Sequence, residues 1–159
     1  MKYAKEALDN VQMNYNDIKD IAEDMVKSFF EPIDNIVNSL SNVNTLSVDT
    51  IRDTILELSI SSYKLGEIKD KSSIKSELAE ALRKEKYALE YNKSEGTVAT
   101  KDNTALLESS SEIVADILFE LVANLTKTKL DEVHRLVDSL KSILMSRMQE
   151  LKLGIENIE

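Results

Sequence analysis

Apolar residues recur through the first segment of the chain with steps that alternate between three and four: Met1, Ala4, Leu8, Val11, Tyr15, Ile18, Ala22, Met25 and Phe29. That alternation is the seam of a long helix with a narrow apolar stripe. Between the seam positions lie Lys5, Asp9, Asn14, Asp17, Lys19, Asp20, Glu23 and Asp24, a solvated and mostly acidic face. Pro32 has no amide proton to continue the ladder, so a kink or break is expected near Phe30 and Glu31. Ile33, Ile36, Val37 and Leu40 form a short second stripe, and residues 41–45 (SNVNT) read as a connector.

Ser47 is placed to cap the next helix, where Val48, Ile51, Ile55, Leu58, Ser62 and Leu65 repeat the alternation up to a weak stop at Gly66. A further helix is expected from Ser72 or Ser73 to Tyr91, with Ile74, Leu78, Ala81, Leu82, Ala88 and Leu89 as its apolar side. Residues 94–100 (SEGTVAT) make the strongest break, because a glycine joins three poor helix formers. Beyond Asp102 there is no Gly or Pro until Gly154. The stripe Leu107, Val114, Leu118, Leu121, Leu125 passes into Val133, Leu136, Leu140, Ile143 if one extra residue is inserted near Lys129, a stutter that unwinds a supercoil without ending the helix. The alternative over 103–157 is two helices, one ending near Asn124 and another capped at Thr128 through the Thr128-x-x-Asp131 pattern. These elements define an all-α class: an elongated helical bundle of four to six helices with coiled-coil-like heptad seams. Residues 1–45 form the N-terminal heptad helix and short helix. Residues 46–159 form the bundle core, with a basic helix at 69–93 and long C-terminal helices.

Composition removes most chemistry from this frame. The 159 residues hold no cysteine and one histidine, which excludes thiol nucleophiles, disulfides and a Cys/His zinc site. Asp131-x-x-His134 sets two ligand-type residues on one helix face, but a carboxylate-bridged bundle site needs a second histidine-bearing pair. His134 is read as a surface histidine beside acids. The serines, including Ser109, Ser110 and Ser111, have no glycine elbow and no base other than that histidine. No enzyme activity, cofactor or metal is expected. The start of the chain lacks a secretory apolar region, and no stretch reaches the ~20 apolar residues that span a bilayer. The expected location is therefore cytoplasmic, the host cytoplasm if the chain is phage-encoded.

The net charge of −9 is unevenly distributed. Residues 1–63 carry 5 basic and 11 acidic side chains, and residues 102–159 carry 6 and 11, whereas residues 64–101 carry 9 and 7. The one non-acidic block holds Lys64, Lys69, Lys71, Lys75, Arg83, Lys84, Lys86, Lys93 and Lys101. Cation clusters of this kind make phosphate contacts, and Tyr87 and Tyr91, one helical turn apart, offer faces for unpaired bases. In the alternative reading Glu77, Glu80, Glu85 and Glu90 pair with the cations along a solvated helix, and the tyrosines sit at a core edge.

Within that block Ser72-Ser73-Ile74-Lys75-x-Glu77, followed by Lys86-x-Ala88-Leu89, resembles the recombination mediator protein of T-even phages. The likeness in layout continues through a loop with Gly96, an acidic stretch and a helical C-terminal half, while residues 1–45 have no counterpart. The resemblance implies a helical accessory that loads a recombinase onto single-stranded DNA and assembles as a ring-like or other homo-oligomer through its C-terminal helix. The family's basic positions directly after the Ala-Leu pair, and two further on, are Glu90 and Asn92 here. A DNA-contacting role must then rest on Lys75, Arg83, Lys84, Lys86 or Lys93, or have been lost.

Two functions follow as expectations. The first is a non-enzymatic phage-type accessory in DNA recombination or replication. It would bind single-stranded DNA, a recombinase partner, or both, through Lys69, Lys71, Lys75, Arg83, Lys84, Lys86, Tyr87, Tyr91 and Lys93. The second is an acidic helical protein-interaction module, a virion component, adaptor or inhibitor, with no nucleic-acid binding. A protein partner is expected in either case, and no membrane. The seams offer a homo-oligomer surface at Leu8, Val11, Tyr15, Ile18, Met25, Phe29, Val133, Leu136, Leu140 and Ile143, with an intramolecular coiled coil as the alternative.

Overall fold

The structure, a computed structural model, describes residues 11, 13–40 and 46–156, with side chains as far as residue 152. Four helices follow one another: α1 (Tyr15–Ser39), α2 (Val48–Lys93), α3 (Val98–Glu108) and α4 (Ser110–Glu156). No strand occurs among the described residues, in keeping with the all-α class. Two compact units divide the chain. The first takes the chain through Val26 together with Ile68–Leu125, and the second takes Lys27–Glu67 with the chain from Thr126 onward.

Helix α1 starts where Asn14 and Asp17 cap one another. The Asn14 Oδ1 accepts from the amides of Asn16 (2.8 Å) and Asp17 (3.1 Å), and the Asp17 carboxylate accepts from the Asn14 amide at 2.7 Å. Its buried side in the first unit is Ile18, Ala22 and Val26. Tyr15, Met25 and Phe29 of the expected seam are exposed, while Leu8 lies outside the described residues. The choice between Met25/Phe29 and Val26/Phe30 is settled by what comes next. Val26 stands one heptad before the buried Ile33, and in the second unit Phe30, Ile36 and Leu40 pack against the core that holds Ile33. The break expected at Pro32 does not occur, because α1 runs through it. Pro32 and Ser28, whose carbonyl lies one turn before it, are both exposed, so the missing amide donor is not a buried loss. Ile33 beside Pro32 is fully buried.

Helix α2 is capped as the sequence suggests, Ser47 Oγ accepting from the Thr50 amide at 3.0 Å. It then continues far beyond the expected stop. Gly66 is helical, and among the glycines of the described residues the positive φ is at Gly96 (111°). Ser72, expected to open a new helix, is buried inside the old one. The reason is register. Ile51, Leu58, Leu65, Ser72 and Ala79 are buried at uniform steps of seven, so one face stays covered and nothing favours a break.

After a short turn at Gly96, Thr97 caps α3 by accepting from the Thr100 amide. The break before α4 falls at Ser109, earlier than the sequence reading placed it. Ser109 and Ser110 hydroxyls donate back to the carbonyls of Ala105 (2.8 Å) and Leu106 (3.0 Å), offering the backbone an alternative to the helical ladder. From Ser110 the chain is one helix, not two. Thr126 is fully buried, and Val122, Thr126, Leu130, Val133, Val137 and Leu140 step by four, four, three, four and three, which absorbs the extra residue near Lys129 without a break. The core of the second unit is Ile33, Ile51, Leu58, Leu65, Val133, Val137 and Leu140, with Leu136 and Ile143 packed against it.

Candidate functional site

From Lys69 to Lys93 the basic block sits on the part of α2 that belongs to the first unit, and these cations are largely engaged by neighbouring acids and rings. Lys69 pairs with Asp70 at 3.1 Å, Lys84 with Glu80 at 2.8 Å and Lys93 with Glu90 at 2.9 Å. Lys86 reaches across to α4 and donates to both oxygens of Glu112, at 3.1 and 3.2 Å. Lys75 lies 5.0 Å from the centre of the Phe119 ring, also on α4. Arg83 is half-buried, and Lys71 lies on the exposed side.

Electrostatics agree with this geometry. The hydrogen bond from Lys84, then its charge, hold the Glu80 carboxyl below its ordinary value, with Arg83 adding a smaller share. Burial pushes the Glu112 carboxyl up, but hydrogen bonds from its own amide, Lys86 and Ser111 outweigh it, so the net direction is down. Tyr87 and Tyr91 stack on each other, with centroids 6.2 Å apart and planes 20° from parallel. The Tyr87 hydroxyl donates to Asp102 at 2.7 Å, and Lys101 lies 5.8 Å from the Tyr91 ring centre. Lys75, Lys86, Tyr87 and Tyr91 are thus drawn into contacts of α2 with α3 and α4 within the first unit, while Lys69, Lys84 and Lys93 pair along α2 itself.

The outward side of the same stretch is apolar. Ile74, Leu78, Leu82 and Leu89 are 64%, 57%, 47% and 50% exposed. These residues read from the sequence as the buried side of a helix, and the structure turns them to solvent. The signal that could have found this lies in the heptad itself. Extending Ile51, Leu58 and Leu65 by sevens reaches Ser72, Ala79 and Lys86, and the intermediate positions Ser62, Lys69, Ser76 and Arg83 are polar. If α2 is one helix in one register, its covered face turns polar past Leu65 and its apolar residues must face outward. Ser76 accordingly donates from this inner side to Asp116 on α4 at 2.6 Å.

The other proposed contact residues divide in two. Ile18, Val133 and Leu140 are buried within the chain, and Leu136 and Ile143 pack against the core. Tyr15, Met25 and Phe29 remain exposed and Val11 half-exposed.

Little else concentrates chemistry. His134 and Asp131 are exposed, and no group of three or more metal-ligating side chains occurs among the described residues. An open cleft of about 440 Å³ in the second unit is lined by Leu46, Ser47, Val48, Arg147, Glu150 and Leu151, with the Arg147 guanidinium donating to the Leu46 carbonyl. No helix among the described residues is long and apolar enough to cross a membrane. Comparison with protein-family models, with curated proteins and with solved structures finds no match.

Proposed function

We propose that this chain is a helical protein-interaction module that works by contact, and that its contact surface is the outward face of α2 in the first unit. The observation that carries this reading is the inverted face. Ile74, Leu78, Leu82 and Leu89 stand in water while Ser72 is buried and Ser76 and Lys86 bond to Asp116 and Glu112 of α4. Leaving each of these aliphatic side chains about half exposed forgoes roughly 1 kcal/mol of burial free energy. Scattered single leucines carry no meaning on a surface, but a continuous stripe at helical spacing is the mark of a contact site.

The nucleic-acid reading draws less support. Its cations are tied to Asp70, Glu80, Glu90 and Glu112, and its tyrosines to each other and to Asp102. A phosphate backbone must displace those acids, and the surrounding charge of −9 repels it at range. Fluorescence anisotropy with a labelled single-stranded oligonucleotide, titrated with salt, tests the choice. The wild type is expected to show no salt-sensitive binding. Binding that weakens with salt and disappears in Arg83→Glu/Lys84→Glu/Lys86→Glu would overturn the protein-directed reading in favour of a mediator-like one.

A further inference from the structure

The outward strip of α2 is its own complement. Relative to Leu78, the exposed residues Lys71, Ile74, Leu82 and Glu85 fall at −7, −4, +4 and +7. With 3.6 residues per turn these positions lie within about 40° of the Leu78 direction, so the five side chains form one strip. Reversing the strip about Leu78 exchanges Ile74 with Leu82 and Lys71 with Glu85. Apolar positions map onto apolar positions, and each charge maps onto its opposite.

We propose that this strip pairs with the same strip of a second copy of the chain, antiparallel, with Leu78 on the two-fold axis. The pairing rests on the reading of this face as a protein-contact surface. Each Ile74 then meets the partner's Leu82, the two Leu78 side chains meet each other, and each Lys71 meets the partner's Glu85. The charged contacts close both ends of this five-residue strip, and Leu89, one turn beyond Glu85 on the same face, lies outside it. A parallel, in-register pairing would set Lys71 against the partner's Lys71 and Glu85 against the partner's Glu85, two like-charge contacts, so charge selects the antiparallel direction. Beside the strip Ala81 and Ala88 are exposed, and their small side chains let a second helix approach closely. A two-fold contact of this kind needs one patch to serve both partners, and the strip meets that requirement. From Lys71 to Glu85 it is only about 21 Å long, shorter than an interface of the standard ~800 Å² per partner requires. The pair therefore forms reversibly, in the micromolar range or above.

Sedimentation equilibrium over a concentration series on the full chain tests the pairing. The expected result is a shift from the 17.9 kDa monomer toward twice that mass as concentration rises. Leu78→Glu is expected to abolish the shift with far-ultraviolet circular dichroism unchanged. Lys71→Glu and Glu85→Lys should each weaken association about tenfold, and their combination should restore it. Because the chain has no cysteine, single-cysteine variants report direction without background. A short bis-maleimide should join Leu78→Cys to itself, and Lys71→Cys only to Glu85→Cys in a mixture. A monomer at every concentration, no rescue in the double variant, or cross-linking of Lys71→Cys to itself would overturn the pairing. The oligonucleotide assay decides the underlying reading separately, since it does not depend on the oligomeric state.

Discussion

Leu58 and Leu78 stand on the same helix, and the same substitution at each should have very different costs. Leu58 is fully buried among Ile33, Ile51, Leu65, Val133, Val137 and Leu140. Replacing it by alanine removes the transfer free energy of the lost atoms and leaves a cavity, together about 3–4 kcal/mol. Leu78 is 57% exposed, so less than half of its side chain leaves water on folding and no enclosed cavity remains. Leu78→Ala should cost about 1 kcal/mol or less. Helix propensity changes equally at the two sites and cancels from the comparison. Urea unfolding followed by far-ultraviolet circular dichroism measures both. It should be run at low protein concentration, so that self-association adds nothing to the apparent stability. In thermal melts a chain of this size should lose roughly 6–14 °C for Leu58→Ala and a few degrees for Leu78→Ala. Equal losses at the two positions would refute the reasoning, because they would place the apolar side of residues 74–89 inside and the polar side out.

Pro32→Ala should stabilise the chain by about 1–3 kcal/mol in the same urea assay, since α1 continues through an exposed position where proline supplies no amide donor; an unchanged midpoint would mean that the helix is not continuous there. Gly96→Ala should cost about 1–2 kcal/mol, because Gly96 holds φ at 111°, a backbone conformation that side-chain-bearing residues rarely adopt; a neutral melt would count against that turn. Glu112→Gln should change the pH dependence of stability. The Glu112 carboxyl is held below its ordinary value, so its contribution is fully present above about pH 4.5 and is lost as pH falls through the lower folded value. Lys86 is partly exposed and screened, so the difference between wild type and Glu112→Gln should be about 0.5 kcal/mol at neutral pH and vanish in acid; a difference that persists in acid would assign the effect to packing.

What the sequence made legible follows from how strongly each signal competes. The helical class and the stripe Ile51, Ile55, Leu58, Leu65 were readable because apolar spacing and capping by Ser47 agree. Gly66 and Ser72 misled for a shared reason. Both are weak local stop signals, and a covered heptad face extending through them outweighs roughly 1 kcal/mol of local preference. Pro32 was overruled in the same way by Val26 and Ile33 on either side of it. The break at Ser109 was missed because it depends on two hydroxyls returning to the preceding turn, a competition that composition does not resolve. The candidate site was half legible. Its residue types were visible in the sequence, but which side of the helix faces solvent depends on the register inherited from residues 51–65, and a window confined to 72–91 cannot contain that information.

The residues that fill the inner faces also differ between the two units in a way that bears on motion. The second unit is closed by isoleucines, leucines and valines. In the first unit many of the covered positions are small or hydroxylated: Ala22, Ser72, Ala79, Ala105, Ser109 and Ser110, beside Ile18, Val26, Ile113 and Val122. Small side chains bring few atoms into dispersion contact, so less free energy opposes local opening there. Amide hydrogen exchange should then resolve two tiers, with protection at Leu58 and Val137 near the global limit and exchange around Ala79 and Ala105 through cheaper, sub-global openings. Occupation of the outward strip of α2 would slow exchange in the weaker tier first. A partner's arrival would be registered as a loss of fluctuation in the first unit.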